Sequence, residues 1–374
     1  MSTVKKAVAY FDLTRQHTLL APQIEKAVQN VITSGRYILS PVVQNFEKKF
    51  SRYCGTRLAL GVGSGTDALI FALKALGIGP GQEVIVPSFT FSATVFAILH
   101  VGATPKFVEV DEATYTLDPR AVDAAVTKKT VCILPVHLYG QTADMPAILK
   151  ITGKKKLHVV EDACQAHGAA FQNQKAGSFG TLGCFSFYPT KNLGAMGDGG
   201  MVTTNHSHFA EQIRRFRNLG RVAWNKPHRV LGWTSRLDSL QAAILDIKLN
   251  YLERWNEKRR RLASLYKERL ASTPLVLPQE AEGRRHIYHL FVVRVPDKRR
   301  NALRERLLLK GVASMIHYPI PAHLQPGIKR LGKTKVRLRI TEKISREILS
   351  LPMFPEMREN EVDYVCGVIK SFFR

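Results

Sequence analysis

Over its first two-thirds the chain alternates short runs of Val, Ile and Phe with amphipathic stretches of helical length, and this rhythm constrains the fold more than any other feature. Strands buried on both faces of a parallel sheet read as near-continuous apolar runs, and the crossovers joining them are usually helices. Seven runs fit: RLALGV (57–62), EVIVP (83–87), TPKFVEV (104–110), VCILPVHL (131–138), LHVVED (157–162), LGCFSF (182–187) and GGMVTT (199–204). Helices fit between the early ones, for example TDALIFALKAL (66–76) and FSATVFAILHVG (91–102), whereas the last two strands are joined too tightly for one. A helical stretch from 238 to 271 leads into more basic sequence, where YHLFVVRV (288–295) reads as a strand and DKRRNALRERLLLKG (297–311) as a helix. The pattern predicts a large α/β domain over residues 1–250 and a smaller C-terminal α+β domain over 251–374.

The 374 residues carry a net charge of +25, which invites a nucleic-acid reading. The basic residues gather in 153–157, 254–269, 297–310 and 330–339, mostly in helix-patterned segments interspersed with Glu. No helix-turn-helix, zinc-finger or aromatic RNA-binding motif accompanies them, so solvated helix faces account for the charge. No apolar run approaches the roughly 18–20 residues of a membrane span, and the N-terminus has no signal-peptide pattern, so a cytoplasmic enzyme is expected. The five cysteines (Cys54, Cys132, Cys164, Cys184 and Cys366) are widely spaced and never in a C-x-x-C pair, which predicts reduced, mostly core thiols and no metal site.

In open α/β sheets ligands bind beyond the carboxyl ends of the strands. After the first strand comes GSGTDAL, a glycine-bearing turn into a helix whose free N–H groups suit a phosphate, although an ordinary tight turn has the same composition. SFTFSAT after the second strand puts Phe89 and Phe91 near the same mouth, where core packing is the commoner fate of aromatics. EDACQAHGA follows the fifth strand with Glu161 and Asp162; strand alternation turns one of them inward, and Asp162 could equally cap a helix. The run CFSFYPTKNLGAMGDGG (184–200) isolates one cation, Lys191, among apolar and small residues. A phosphate cradle, a carboxylate, an aromatic plate and a desolvated lysine are the parts that hold pyridoxal 5′-phosphate. The lysine forms the Schiff base, and the carboxylate keeps the pyridine nitrogen protonated so that the ring acts as an electron sink.

Over nearly its whole length the chain also resembles the DegT/StrS-like nucleotide-sugar aminotransferases. Matching stretches are SGRYILSPVVQNFEKKF (34–50), GSGTDAL, PSFTFSATVFAILHVGATPKFVEVD (87–111), PVHLYGQTADM (135–145), VVEDACQAHGA (159–169), FSFYPTKNLGAMGDGGMV (185–202), SRLDSLQAAIL (235–245), HYPIPAHLQ (317–325) and LSLPMFPEM (349–357). The resemblance implies the fold type I architecture of pyridoxal-phosphate enzymes, a seven-stranded mostly parallel sheet plus a smaller α+β domain, assembled as a homodimer. It places Lys191 at the Schiff-base position, Asp162 at the pyridine nitrogen, Gln165 at the ring hydroxyl and Phe91 on the ring. Gly65, Thr66 and Ser186 match phosphate contacts, while Tyr188, His317 and Tyr318 match residues near the sugar. Many relatives carry Asn where this chain has the shorter Thr234, so the phosphate contact across the subunit boundary falls to Thr234, to a water or to Arg236, the candidate donor.

The implied reaction moves an amino group from glutamate or glutamine, by way of pyridoxamine phosphate, to a nucleotide-linked keto-sugar. HLYGQ and HYPIPAHLQ favour a 3-keto hexose. Two alternatives stand beside it. Related sugar dehydratases carry His in place of the lysine, and some relatives were first described as regulators. The dispersed basic residues predict that any DNA binding is sequence-independent and steeply salt-sensitive. A footprint on one defined sequence at physiological salt is the observation that would contradict this.

Overall fold

The computed structural model describes residues 7–331 and 336–374; the basic run at 330–339 therefore lies partly outside the described residues. Its central sheet has seven strands: β1 (Leu58–Val62), β2 (Glu83–Pro87), β3 (Thr104–Val108), β4 (Thr130–Ile133), β5 (His158–Asp162), β6 (Leu182–Ser186) and β7 (Gly200–Thr204), in the order β1-β7-β6-β5-β4-β2-β3. Strands β3, β2, β4, β5 and β6 run parallel, and β7 is antiparallel to both neighbours, β6 and β1. The tight connection between the last two runs is thus what an antiparallel pair permits.

The first 100 residues also supply four helices, α1 (Leu13–Ser34), α2 (Pro41–Cys54), α3 (Gly65–Ala75) and α4 (Ser92–His100); α2 packs on β1, α4 on β3, and α3 across the strands between them. Ser40 caps α2 and Ser64 caps α3, each side chain accepting a backbone N–H of the first turn. Beyond the sheet, the helical stretch predicted as continuous from 238 to 271 is two helices, α5 (Ser239–Leu249) and α6 (Leu252–Leu270). The break at Asn250 and Tyr251 lets the two pack on different partners. α5 lies against α1 and α2, and α6 against the C-terminal helix Glu359–Phe373.

Two other predicted elements are shorter than expected. β4 stops at Ile133 because Pro135 has no N–H to donate, although Pro135 still accepts from the Asp162 amide at 2.9 Å. The run 288–295 is a strand only from Phe291 to Arg294; Tyr288 takes a left-handed φ of 45° and a bend at His289 and Leu290 precedes the strand. That strand pairs antiparallel with Ile348–Leu351 and, with α6 and the helix Arg300–Leu309, packs a core of its own that includes Tyr266, Phe291, Val293, Leu303 and Ile369. We propose the division near residue 250 on the basis of this second core; Val8, far upstream, also joins it through a bridge to Val312.

The end of β5 sets the chemistry. Sequence alternation turns only one of Glu161 and Asp162 inward, yet both are buried, because each sheet face is covered. Glu161 accepts from Gly177, Phe179 and Gly180 backbone N–H groups at 2.7–2.8 Å and pairs with His137 Nε2 at 2.9 Å. Four donors around one dry carboxylate make it a structural anchor for the 177–180 turn. Glu161→Ala should therefore cost about 3 kcal/mol in chemical unfolding, the loss expected when one partner of a buried charged network is removed. A loss under about 1 kcal/mol would show that the network is solvated.

Candidate active site

Asp162 points to the opposite face from Glu161, into a cavity of about 570 Å³ at the carboxyl ends of the strands. Its Oδ2 accepts from Thr94 Oγ1 at 2.8 Å and its Oδ1 from the Cys164 amide at 3.1 Å. Thr94 is itself bonded to Thr90 at 2.8 Å; since its proton goes to the carboxylate, Thr90 is the donor in that pair. Asp162 caps no helix: none begins there, and the carboxylate is held by polar donors on the cavity wall.

Lys191 sits on the connection between β6 and β7, where its amide donates to Tyr188 O at 2.8 Å. Its side chain is half-buried and reaches the same cavity. Desolvation pushes its pKa down, while Cys164 and Asp162 push back less strongly. The connection itself is tightly held. Lys248 of α5, fully buried, donates to Gly194 O at 2.8 Å, and its own pKa is pushed down to about 8 by burial. A Cβ on Gly194 would lie 2.2 Å from Pro189 O, so no side chain fits there.

Across the cavity stands α3. Gly65 and Thr66 open this helix, where backbone N–H groups have no intrahelical acceptor, and both line the cavity. A Cβ on Gly65 would lie 2.6 Å from the Ser186 Cβ, so only glycine lets this helix start approach β6 so closely. Phe91, just before α4, is 57% exposed although its neighbour Phe89 is core, and its ring centroid lies 5.7 Å from that of Tyr318. Gln165 links the floor to this wall: its Oε1 accepts from the Tyr139 amide at 2.8 Å and its Nε2 donates to Tyr318 Oη at 3.0 Å. His317 pairs through Nδ1 with Ser350 Oγ at 2.9 Å and stacks on Tyr10.

All of the predicted site residues except Arg236 line this one cavity, with Tyr188 and Ser186 on the Lys191 side. Arg236 lies apart, its guanidinium donating to Asn218 Oδ1 at 3.0 Å. Several lining residues escaped the sequence reading. Cys164, expected in the core, is half-buried on the cavity wall, while the other four cysteines are buried as expected. Thr90, just ahead of the cap of α4, and Thr94, in its first turn, stand four residues apart in SFTFSAT, and their hydroxyls meet at 2.8 Å. Tyr10 and His289 come from distant segments and left no local signal. No cluster of His, Cys, Asp or Glu suited to a metal occurs among the described residues, and no helix among them is long and apolar enough to cross a membrane.

The profile of the DegT/DnrJ/EryC1/StrS aminotransferase family matches residues 19–370. The chain belongs to that family. It is 44% identical to a pleiotropic regulatory protein of Geobacillus stearothermophilus, with 98% of this chain and 99% of the relative covered. It is 42% identical to the UDP-N-acetyl-3-dehydro-alpha-D-glucosamine 3-aminotransferase of Acidithiobacillus ferrooxidans, covering 98% of each. Among solved structures it is similar to DesV from S. venezuelae in complex with a ketimine intermediate, with a TM-score of 0.95, 42% identity and coverage of 98% of this chain and 99% of that one. NtdA from Bacillus subtilis, with pyridoxamine phosphate bound, superposes with a TM-score of 0.92 at 32% identity, covering 100% of this chain and 86% of that one.

Aminotransferases of this family work with pyridoxal 5′-phosphate, and the residues present fit it. The two N–H groups at the start of α3 and the Ser186 hydroxyl suit its phosphate, the Asp162 carboxylate suits its ring nitrogen, and the exposed face of Phe91 suits its ring.

Several imidazoles near Lys191 are kept neutral by burial, His317 on the cavity wall and His167 in the core behind it. Desolvation, followed by the nearby Lys191, pushes His167 down to about 3 and His317 down to about 4. A histidine whose folded pKa lies below its unfolded value of about 6.5 binds fewer protons folded than unfolded, so stability is lost as pH falls below 6.5. His167→Leu should remove its share of that loss, about 1.4 kcal/mol per pH unit between pH 6 and 4.5. Urea unfolding of the cofactor-free protein at several pH values checks this, and parallel curves for wild type and variant would refute it.

Proposed function

We propose that the protein transfers the amino group of glutamate or glutamine to a nucleotide-linked 3-keto hexose. The observation that carries this reading is the half-buried Lys191 amine sharing one cavity with the hydrogen-bonded Asp162 carboxylate. The relative of A. ferrooxidans named for a 3-dehydro sugar supports the choice of carbon.

Pyridoxal 5′-phosphate, when bound, supplies an electron sink for the charge left on the carbon that loses its proton. The chain's own residues do the rest. Lys191, its ammonium disfavoured by burial, is the base that takes that proton and the acid that returns it. Asp162 keeps a proton at the ring nitrogen, and the donors Thr94 and Cys164 N–H hold its two oxygens in place. Gln165 would contact the ring hydroxyl, Phe91 would cover the ring, and Gly65, Thr66 and Ser186 would hold the phosphate. Tyr188, His317 and Tyr318 border the space left for the sugar.

Lys191→Ala should abolish transfer and leave folding intact. Asp162→Asn should lower the rate far more than Phe91→Leu, which removes stacking worth roughly 0.5–1.5 kcal/mol. Assays with a panel of nucleotide-linked keto-sugars check both, and turnover by Lys191→Ala would sink the mechanism. The regulatory name of the G. stearothermophilus relative marks a second reading. A regulator needs no Lys191, so the same variant separates the two.

We further propose a homodimer with shared sites, which fits the segment 219–233. Trp224 and Leu231 there are 84% and 89% exposed, and Leu219, Val222 and Trp233 are exposed beside them. So much apolar surface on one segment calls for cover, and a second copy would bring Arg236, just downstream, toward the other chain's phosphate. Mixing Lys191→Ala with Arg236→Ala subunits tests it. Shared sites restore activity, because each heterodimer then has one intact site. If Arg236 serves its own chain, every site keeps a lesion and none returns.

A further inference from the structure

Behind the cavity floor runs a chain of buried amides that plays no part in the proposed transfer. Asn256, on α6, donates through Nδ2 to the backbone carbonyl of His167 at 2.8 Å, and a carbonyl oxygen can only accept. That orients the amide, so its Oδ1 takes the hydrogen bond from Asn192 Nδ2 at 2.8 Å. Asn192 Nδ2 also donates to Ile287 O at 3.4 Å, which leaves its Oδ1 facing His289 Nδ1 at 3.1 Å. An amide oxygen has no proton to give. Nδ1 of His289 therefore carries the hydrogen, and in the neutral ring Nε2 is a bare lone pair.

The surroundings keep that ring neutral. Burial first, then the charge of Lys191, Arg259, His167 and His317, holds its pKa well below the usual value. No donor among the described residues, Lys191 included, is hydrogen-bonded to Nε2 in the structure, and His289 lines the cavity that holds Lys191. Two further links tie ring and amine together. Asn192 is the residue after Lys191, and Arg259 donates to His289 O at 3.1 Å, which fixes the ring's backbone. On the Lys191 side the charged and titratable neighbours are Asp162, Cys164, His167 and His317.

We propose that His289 is a positioning residue, whose open Nε2 accepts a hydrogen bond from the Lys191 amine when that flexible side chain turns toward the ring, and so aims the amine's lone pair at the reacting carbon. The inference rests on Lys191 being the group that moves the proton in the proposed transfer. A primary amine on a flexible four-carbon stem samples many directions, and an acceptor at one N–H restricts them. The Asn256–Asn192 chain has a role of its own here. It locks the tautomer, since a ring protonated at Nε2 instead could offer Lys191 no acceptor.

Two isosteric changes separate this from a purely structural histidine. His289→Asn keeps an amide donor near the position of Nδ1, preserving the bond to Asn192, and removes the acceptor at Nε2. His289→Gln puts an amide oxygen near Nε2 and gives up the Nδ1 bond. The first readout needs neither cofactor nor substrate: reductive methylation of Lys191 in the cofactor-free protein as a function of pH, followed by peptide mass spectrometry. An acceptor favours the ammonium form, so His289→Asn should move the midpoint down by roughly one pH unit and His289→Gln should leave it near wild type. The second readout is the amino-donor half-reaction, expected to slow about 10²-fold in His289→Asn and far less in His289→Gln, with sugar KM little changed.

Equal effects of the two changes, or a milder effect of His289→Asn, would overturn the proposal, because a ring serving only the amide chain predicts that order. Should neither variant fold, wild type labelled with 15N-histidine decides. The ring assigned to His289 must stay neutral with its proton on Nδ1 from pH 5 to 8, and a proton on Nε2 overturns the idea. Inactivity of wild type toward every keto-sugar would count against the proposed function and would leave the methylation midpoints standing on their own.

Discussion

Two consecutive carboxylates at the end of one central strand are taken out of water, and much of the molecule is arranged to make that possible. An isolated buried carboxylate is prohibitively costly, so each must be surrounded by donors. Glu161 gathers its donors from the 177–180 turn and from His137 on one side of the sheet. Asp162 gathers Thr94 and the Cys164 amide on the other. The first arrangement fixes the turn leading into β6, and β6 leads in turn to Lys191. Structural and chemical carboxylates are thus neighbours in sequence, separated only by the alternation of a strand.

The sheet was legible in the sequence because buried parallel strands announce themselves as apolar runs; the second strand, 83–87, has the predicted limits. Elements whose ends depend on a single backbone group were not. Pro135 cuts short a run that reads as strand through to Leu138, and the 250–251 break serves two different packing partners, which no periodicity records. The cavity follows the same division. Lys191 and Asp162 stood out locally, one by isolation and one by its place at a strand end. His289 and Tyr10 reach the cavity only through tertiary contacts, and Cys164 looked like any other buried thiol.

The charge of +25 remains separate from the chemistry. Inside the cavity the cationic groups are Lys191 and, behind it, Lys248 and Arg259, whose pKa values are all lowered first by burial. Arg259 spends its charge on the carbonyls of Tyr288, His289 and Met353, not on a carboxylate contact. Buried cations here act as scaffolding for backbone, while the solvated ones on outer helix faces set the field that an anionic sugar nucleotide meets on approach.

The tightness of the β6–β7 connection bears on how such an enzyme can diversify. With Gly194 pressed on Pro189 O and clasped by Lys248, the turn that follows the reactive amine has no room for a larger residue at its centre. The rim is different: Tyr188 and Met196, on the same connection, are exposed, as are Trp224 and Leu231. Variation in substrate choice is therefore sterically channelled to the rim. A lineage can exchange the sugars it accepts while the packed turn at Gly194 stays as it is.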